Sequence, residues 1–128
     1  MAIDERSALE QFTQTLRKLR ESRGVSYKEM AHLLDLTTSR YWKIENGKGG
    51  PGIVIPTRET ILKIAEALRL TEGETDELLL AGRRLPLHLE ETLARRPYLA
   101  SVIESLGRLD DYNLQCVILE IEKREKAA

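Results

Sequence analysis

Apolar residues recur along this chain at the spacing of an α-helix, and polar capping residues punctuate them. Leu9, Phe12, Leu16 and Leu19 share one face of a 3.6-residue period and predict a helix running to about Glu21 or Ser22. Ser7 with Glu10 reads as a capping box for its start, with Asp4 as an earlier alternative. Gly24 provides the stop. Ser26 with Glu29 is a second capping box, followed by the apolar points Met30, Ala31 and Leu34. Asp35 tolerates the left-handed backbone of a tight turn. Leu36 returns to the core, and Thr37 caps a short helix in which Tyr41 and Ile44 share a face and which ends at Asn46-Gly47. Thr57 opens a helix with Ile61, Leu62, Ile64, Ala65 and Leu68 inward. Thr71 with Glu74 is a third capping box, before Leu78, Leu79 and Leu80 and a stop at Gly82.

Between the third and fourth of these helices lies Lys48-Gly-Gly-Pro-Gly-Ile-Val-Ile-Pro56, four breakers around a β-branched triplet. Left exposed, Ile53-Val54-Ile55 is costly, so it packs on the core, pairs as a short strand, or meets a partner. The chain beyond Gly82 differs in kind. Arg83 to Pro86 reads as a hinge-like joint, 87–96 as a short helix, and Tyr98 to Leu106 as another, stopped by Gly107. Leu109 and Asp110 staple and cap a last helix from Asp111 to about Lys126. Its Leu114, Val117, Ile118 and Ile121 form a stripe at i, i+3, i+4, i+7, too apolar for a lone terminal helix. That stripe packs on the Tyr98 to Leu106 helix, on the bundle, or on a second copy of the chain. The pattern therefore predicts an all-α chain: a five-helix bundle over residues 1–82 and a helical extension over 83–128, the natural place for a dimerisation surface.

Composition narrows the function. The 128 residues are 41% apolar and 32% charged, which excludes a disordered chain. No run approaches a membrane span, and the N-terminus lacks an apolar signal core, so a cytoplasmic protein without membrane partners is expected. The single cysteine, Cys116, excludes an intrachain disulfide and reads as a core or interface thiol. His32 and His88 are too isolated to suggest a metal site, and nothing implies a cofactor. No nucleophile–base pair or paired carboxylates suggest an enzyme.

Net charge is −1 overall but unevenly placed. Residues 11–58 carry nine Lys/Arg against four Asp/Glu, or +5, whereas 59–128 carry ten against fourteen, or −4. The basic half coincides with the short third helix, where Thr38, Ser39, Trp42 and Lys43 form an outward row. Such a row is how a helix-turn-helix offers side chains to the major groove. Lys43 suits guanine O6 and N7. Trp42 either lies along the sugar-phosphate backbone or sits beneath the following loop. Arg17 and Arg20 either meet phosphate or merely complement the helix dipole. Glu45, an acid in the last turn of its helix, opposes that dipole and calls for a cationic partner, for which Arg20 is the best candidate.

These motifs together resemble the Cro/C1-type (XRE) helix-turn-helix family of phage repressors and bacterial regulators. The resemblance covers Phe12 to Leu70 and rests on L-R-x-L-R-x-x-x-G (Leu16 to Gly24), S-x-x-E-M-A (Ser26 to Ala31), I-E-N-G-K (Ile44 to Lys48) and P-T-x-x-T-I-x-K-I-A-x-A-L (Pro56 to Leu68). It implies a lambda-repressor-like bundle in which Ser26 and Tyr27 touch phosphate. Thr38, Ser39 and Lys43 would read bases with Trp42 flanking, Asn46, Gly47 and Lys48 would contact the DNA backbone, and Arg20 would pair with Glu45. The chain departs from the family in having Tyr27 for the usual Gln, Asp35 for the turn glycine, and a longer connection from Lys48 to Pro56. The function expected is a dimeric, sequence-specific regulator of double-stranded DNA, acting as a repressor on a palindromic operator, with a protein or peptide as a possible effector. The alternative is a protein-binding module, such as an adaptor, antitoxin-like partner or anti-repressor, that keeps the fold without reading DNA.

Overall fold

The computed structural model describes residues 5–48 and 55–128, except for the side chains at 5 and 6. The described residues are all-α. The helices are α1 (Glu5–Ser22), α2 (Tyr27–Leu33), α3 (Thr38–Glu45), α4 (Arg58–Leu68), α5 (Glu72–Ala81), α6 (Leu87–Arg95), α7 (Leu99–Gly107) and α8 (Asp111–Ala127). They fall into two compact units, Met1–Pro86 and Leu87–Ala128.

In the first unit, α1 to α5 close around one core of Phe12, Leu16, Leu19, Met30, Tyr41, Ile61, Ile64, Leu68, Leu78 and Leu79. Local sequence sets the helix boundaries. The hydroxyl oxygens of Ser26, Thr37, Thr57 and Thr71 each accept from a backbone N–H in the first turn of the helix they precede. At Ser26 and Thr71 the capping box is complete. Asp35 turns the chain between α2 and α3 at φ +57°.

Several elements depart from the sequence pattern. Helix α1 is already running at Glu5, so Ser7 lies inside it and does not open a capping box; Asp4 lies outside the described residues. Leu62 and Leu80 face outward, 42% and 47% exposed, because α4 and α5 turn other rows toward the core. At the end of α5 the left-handed residue is Arg83 (φ +58°), while Gly82 keeps φ −85°. Gly82 serves close packing instead. A Cβ there would lie 3.0 Å from Ile61 Cδ1 and 3.2 Å from Phe12 Cδ2. Residues 83–86 belong to the first unit. Arg84 donates to the carbonyls of Pro56 and Ile55 at 3.0 Å each, and Pro86 is fully buried. These bonds fix where the chain re-enters the bundle after the breaker segment. Of the triplet, Ile55 packs against the core; Ile53 and Val54 lie outside the described residues.

The second unit has a different character. Helices α6, α7 and α8 contain no buried residue. Val102, Ile103, Leu119 and Ile121 are each more than two-fifths exposed. Asp110 caps α8 by accepting from Asn113 N–H at 2.8 Å. Cys116 is exposed, which removes the core reading of this thiol.

Candidate nucleic-acid interface

Helix α3 is held by one face. Tyr41 and Glu45, one turn apart, are both completely buried, and Ile44 is half-buried beside them. A buried carboxylate is tolerable only when charges and donors surround it, and Glu45 has three such neighbours. Arg20 of α1 donates through Nε to Oε1 at 2.7 Å and through Nη2 to Oε2 at 3.2 Å, a bidentate fork. The Tyr41 hydroxyl donates to Oε1 at 2.8 Å. Arg17 Nε stands 3.8 Å from Oε2.

The same contacts determine the protonation of the pair. The Glu45 hydrogen bond raises the Arg20 pKa despite desolvation, so the guanidinium stays charged. Burial foremost, and then the Glu45 carboxylate, pushes the Tyr41 phenol far above its ordinary range. The third Arg20 nitrogen, Nη1, donates to Val25 O at 2.7 Å, and the guanidinium carbon lies 4.3 Å from the Tyr27 ring centroid. With only 7% of its surface exposed and every nitrogen directed at a protein acceptor, Arg20 is a brace and does not fit a phosphate contact.

Arg17, further toward solvent, donates through Nη2 to Asn46 Oδ1 at 2.7 Å, and Asn46 Nδ2 donates to Trp42 O at 2.9 Å. The end of α3 is thus tied to α1 through side chains and closed by a Schellman motif, in which Lys48 N–H reaches Lys43 O (2.8 Å) and Gly47 N–H reaches Ile44 O (3.4 Å). Gly47 takes the left-handed conformation that this motif needs, φ +68°. Its amide and that of Lys48 are used inside the cap, so a DNA-backbone contact by Gly47 does not fit. The Lys48 ammonium remains available and sits 5.9 Å from the Trp42 ring centroid.

The opposite face of α3 is open. Thr38, Ser39, Arg40 and Lys43 are exposed and Trp42 is 41% exposed, so the indole is not a core residue; residues 49–54 of the connection that follows lie outside the described residues. On α2, Ser26 is exposed, while the Tyr27 ring is half-buried, 6.1 Å from Tyr41 and against Arg20. The row predicted from sequence is therefore brought together on one surface, with Lys48 and Arg17 at its end. Arg40 was missed. The signal was its place three residues before Lys43, a spacing that shares a helix face. Also unforeseen was Arg23, paired with Glu74 across from the end of α1 to the start of α5. The Thr71 backbone N–H and then this guanidinium hold the Glu74 carboxyl below its ordinary range.

No curated protein and no solved structure matches the chain. A family model described as a helix-turn-helix domain matches residues 11–78, which span α2 and α3 with the helices that frame them. That match takes in more than half of the sequence, and the chain belongs to the helix-turn-helix domain family.

Proposed function

We propose that the chain is a Cro/C1-type regulator that binds double-stranded DNA in a sequence-specific manner and represses transcription from a palindromic operator as a dimer. The observation that carries this reading is the two-sidedness of α3. One face is locked to α1 through Arg20, Tyr41 and Glu45. The other presents Ser39, Arg40, Trp42 and Lys43 at the surface, with no hydrogen bond or ion pair to their side chains among the described residues. Rigid presentation matters because base readout requires side chains held in register with base edges. Arg17, Ser26, Tyr27, Asn46 and Lys48 are the candidates for phosphate, a role that positions the protein without specifying sequence.

A single copy reads few base pairs, whereas two copies of α3 about 34 Å apart read both halves of a palindrome. The apolar stripe of α8 supports that pairing, because Ile118 and Ile121 are exposed and Leu114 and Val117 are only half-buried. The test is selection of binding sites from random duplexes at several salt concentrations. The expected outcome is a palindrome bound with an affinity that falls steeply with salt, each neutralised phosphate adding about −0.9 to the log–log slope. A salt-independent response, or no enriched sequence, overturns the proposal.

A further inference from the structure

We infer that Arg40 determines target sequence, reading a guanine in each half-site near the base pair addressed by Lys43; this rests on the DNA-binding reading above. At about 100° per residue around α3, Ser39 and Lys43 lie near the centre of the face opposite Tyr41 and Glu45. Trp42 lies on one flank and Arg40 on the other. A shallow groove runs along the Arg40 flank, lined by Thr37, Ser39, Arg40, Lys43 and Ile44. Among the described residues its lining holds two cations and no acid, so it is matched to an electronegative ligand surface.

What distinguishes Arg40 from the neighbouring arginines is that they are already engaged. Arg17 is bound to Asn46, Arg20 to Glu45 and Val25, and Arg23 to Glu74. The guanidinium of Arg40 makes no hydrogen bond or ion pair among the described residues, while its backbone is fixed by donating N–H to Thr37 Oγ1 at 3.1 Å. A free fork on a fixed helical turn is the arrangement that bidentate donation to guanine O6 and N7 requires. Residues in the first turn of such a helix are also the ones that reach base edges. Arg40 and Lys43 are separated by about 4.5 Å of helical rise, which corresponds to one or two base steps at about 3.4 Å each. The two cations therefore address base pairs one or two steps apart, and among the described residues no acid lines the groove between them.

The experiment compares sites selected from random duplexes by the full chain, by Arg40→Ala and by Arg40→Lys, each followed by titration at several salt concentrations. The wild-type half-site should carry two guanines one or two steps apart. Arg40→Ala should lose preference at one of them by roughly 10- to 100-fold while preference at the other persists. Arg40→Lys should keep the salt slope and still weaken that preference, because a flexible ammonium lacks the planar, pre-organised fork of the guanidinium. Uniform weakening across all sequences with a salt slope smaller by about 1 would identify a phosphate contact and overturn the inference. An unchanged selected site for Arg40→Ala overturns it as well. A wild-type chain that enriches no site removes both the DNA-binding reading and this inference, whereas the other two outcomes leave the former intact.

Discussion

The Tyr41 hydroxyl donates to Glu45 Oε1 at 2.8 Å across one turn of α3, and neither residue exposes any surface. The bond fixes both the helix rotation and the carboxylate that receives Arg20, so the presenting face of α3 is set by contacts on its back.

Breaking this arrangement at one point is expected to cost far more than removing it whole. Glu45→Ala leaves the Arg20 guanidinium buried without a counter-charge, a loss of about 3–5 kcal/mol. Arg20→Met with Glu45→Leu together should be less destabilising than either alone, because no unpaired charge is left. Denaturant titrations of Glu45→Ala, of Arg20→Met and Glu45→Leu singly, and of the pair check this, and a double variant as damaged as the sum would refute the account.

The phenol of Tyr41 gives the stability a defined alkaline limb. Its folded-state pKa is raised by burial and by Glu45, whereas an unfolded tyrosine ionises near 10. Below about pH 10 both states keep the proton and the group is neutral in the balance. Above it the unfolded state releases the proton first, so stability falls as pH rises. In an alkaline jump, part of the tyrosinate absorbance should appear only at the rate of unfolding. Tyr41→Phe should abolish that slow component and, through loss of a bond to a charged acceptor, destabilise the chain by about 1.5–3 kcal/mol at neutral pH.

Two glycines should respond in opposite directions to the same substitution. Gly47 holds φ +68°, and a Cβ there would come within 2.6 Å of Leu9 Cδ2. Gly47→Ala therefore combines a left-handed penalty with overpacking, about 2–4 kcal/mol together. Gly73 lies within α5 with nothing near its missing Cβ. Gly73→Ala should stabilise by about 0.5–1 kcal/mol through helix propensity. Thermal melts of both variants test the contrast.

Where sequence reasoning succeeded, a local rule coincided with a tertiary one. Ser26 with Glu29 forms a capping box because Gly24 has already ended the preceding helix, and the apolar spacing of Phe12, Leu16 and Leu19 suits a helix against a core. Glu45 could be noticed because its charge conflicts with the dipole of its own helix. Ser7 and Glu10 failed because a capping pattern says nothing about whether an earlier turn already exists. Arg84 looked like part of a flexible joint because its acceptors, the carbonyls of Ile55 and Pro56, are almost 30 residues away in the chain. Arg40 was overlooked because its spacing to Lys43 marks a shared helix face but does not say whether its guanidinium is engaged elsewhere. Only after Arg17, Arg20 and Arg23 are seen to be engaged does its freedom become informative.

The second unit supplies the last prediction. Its three helices bury no residue, and α8 leaves Ile118 and Ile121 at 37% and 48% exposure. A unit of this size cannot draw much stability from a core of its own, and apolar surface of this extent is usually covered by a partner. If a second copy covers it, sedimentation of the full chain should show a dimer that dissociates on dilution. Val117→Asp with Ile121→Asp should give a monomer at every concentration, since two carboxylates would have to be desolvated in the interface. The α1–α5 core lies in the other unit, so the Tyr41 signal at alkaline pH should persist in that variant. Binding to a palindrome should weaken toward that of a single half-site, whereas binding to an isolated half-site should be unchanged. A variant that remains dimeric would place the interface elsewhere and leave the α8 stripe without this role.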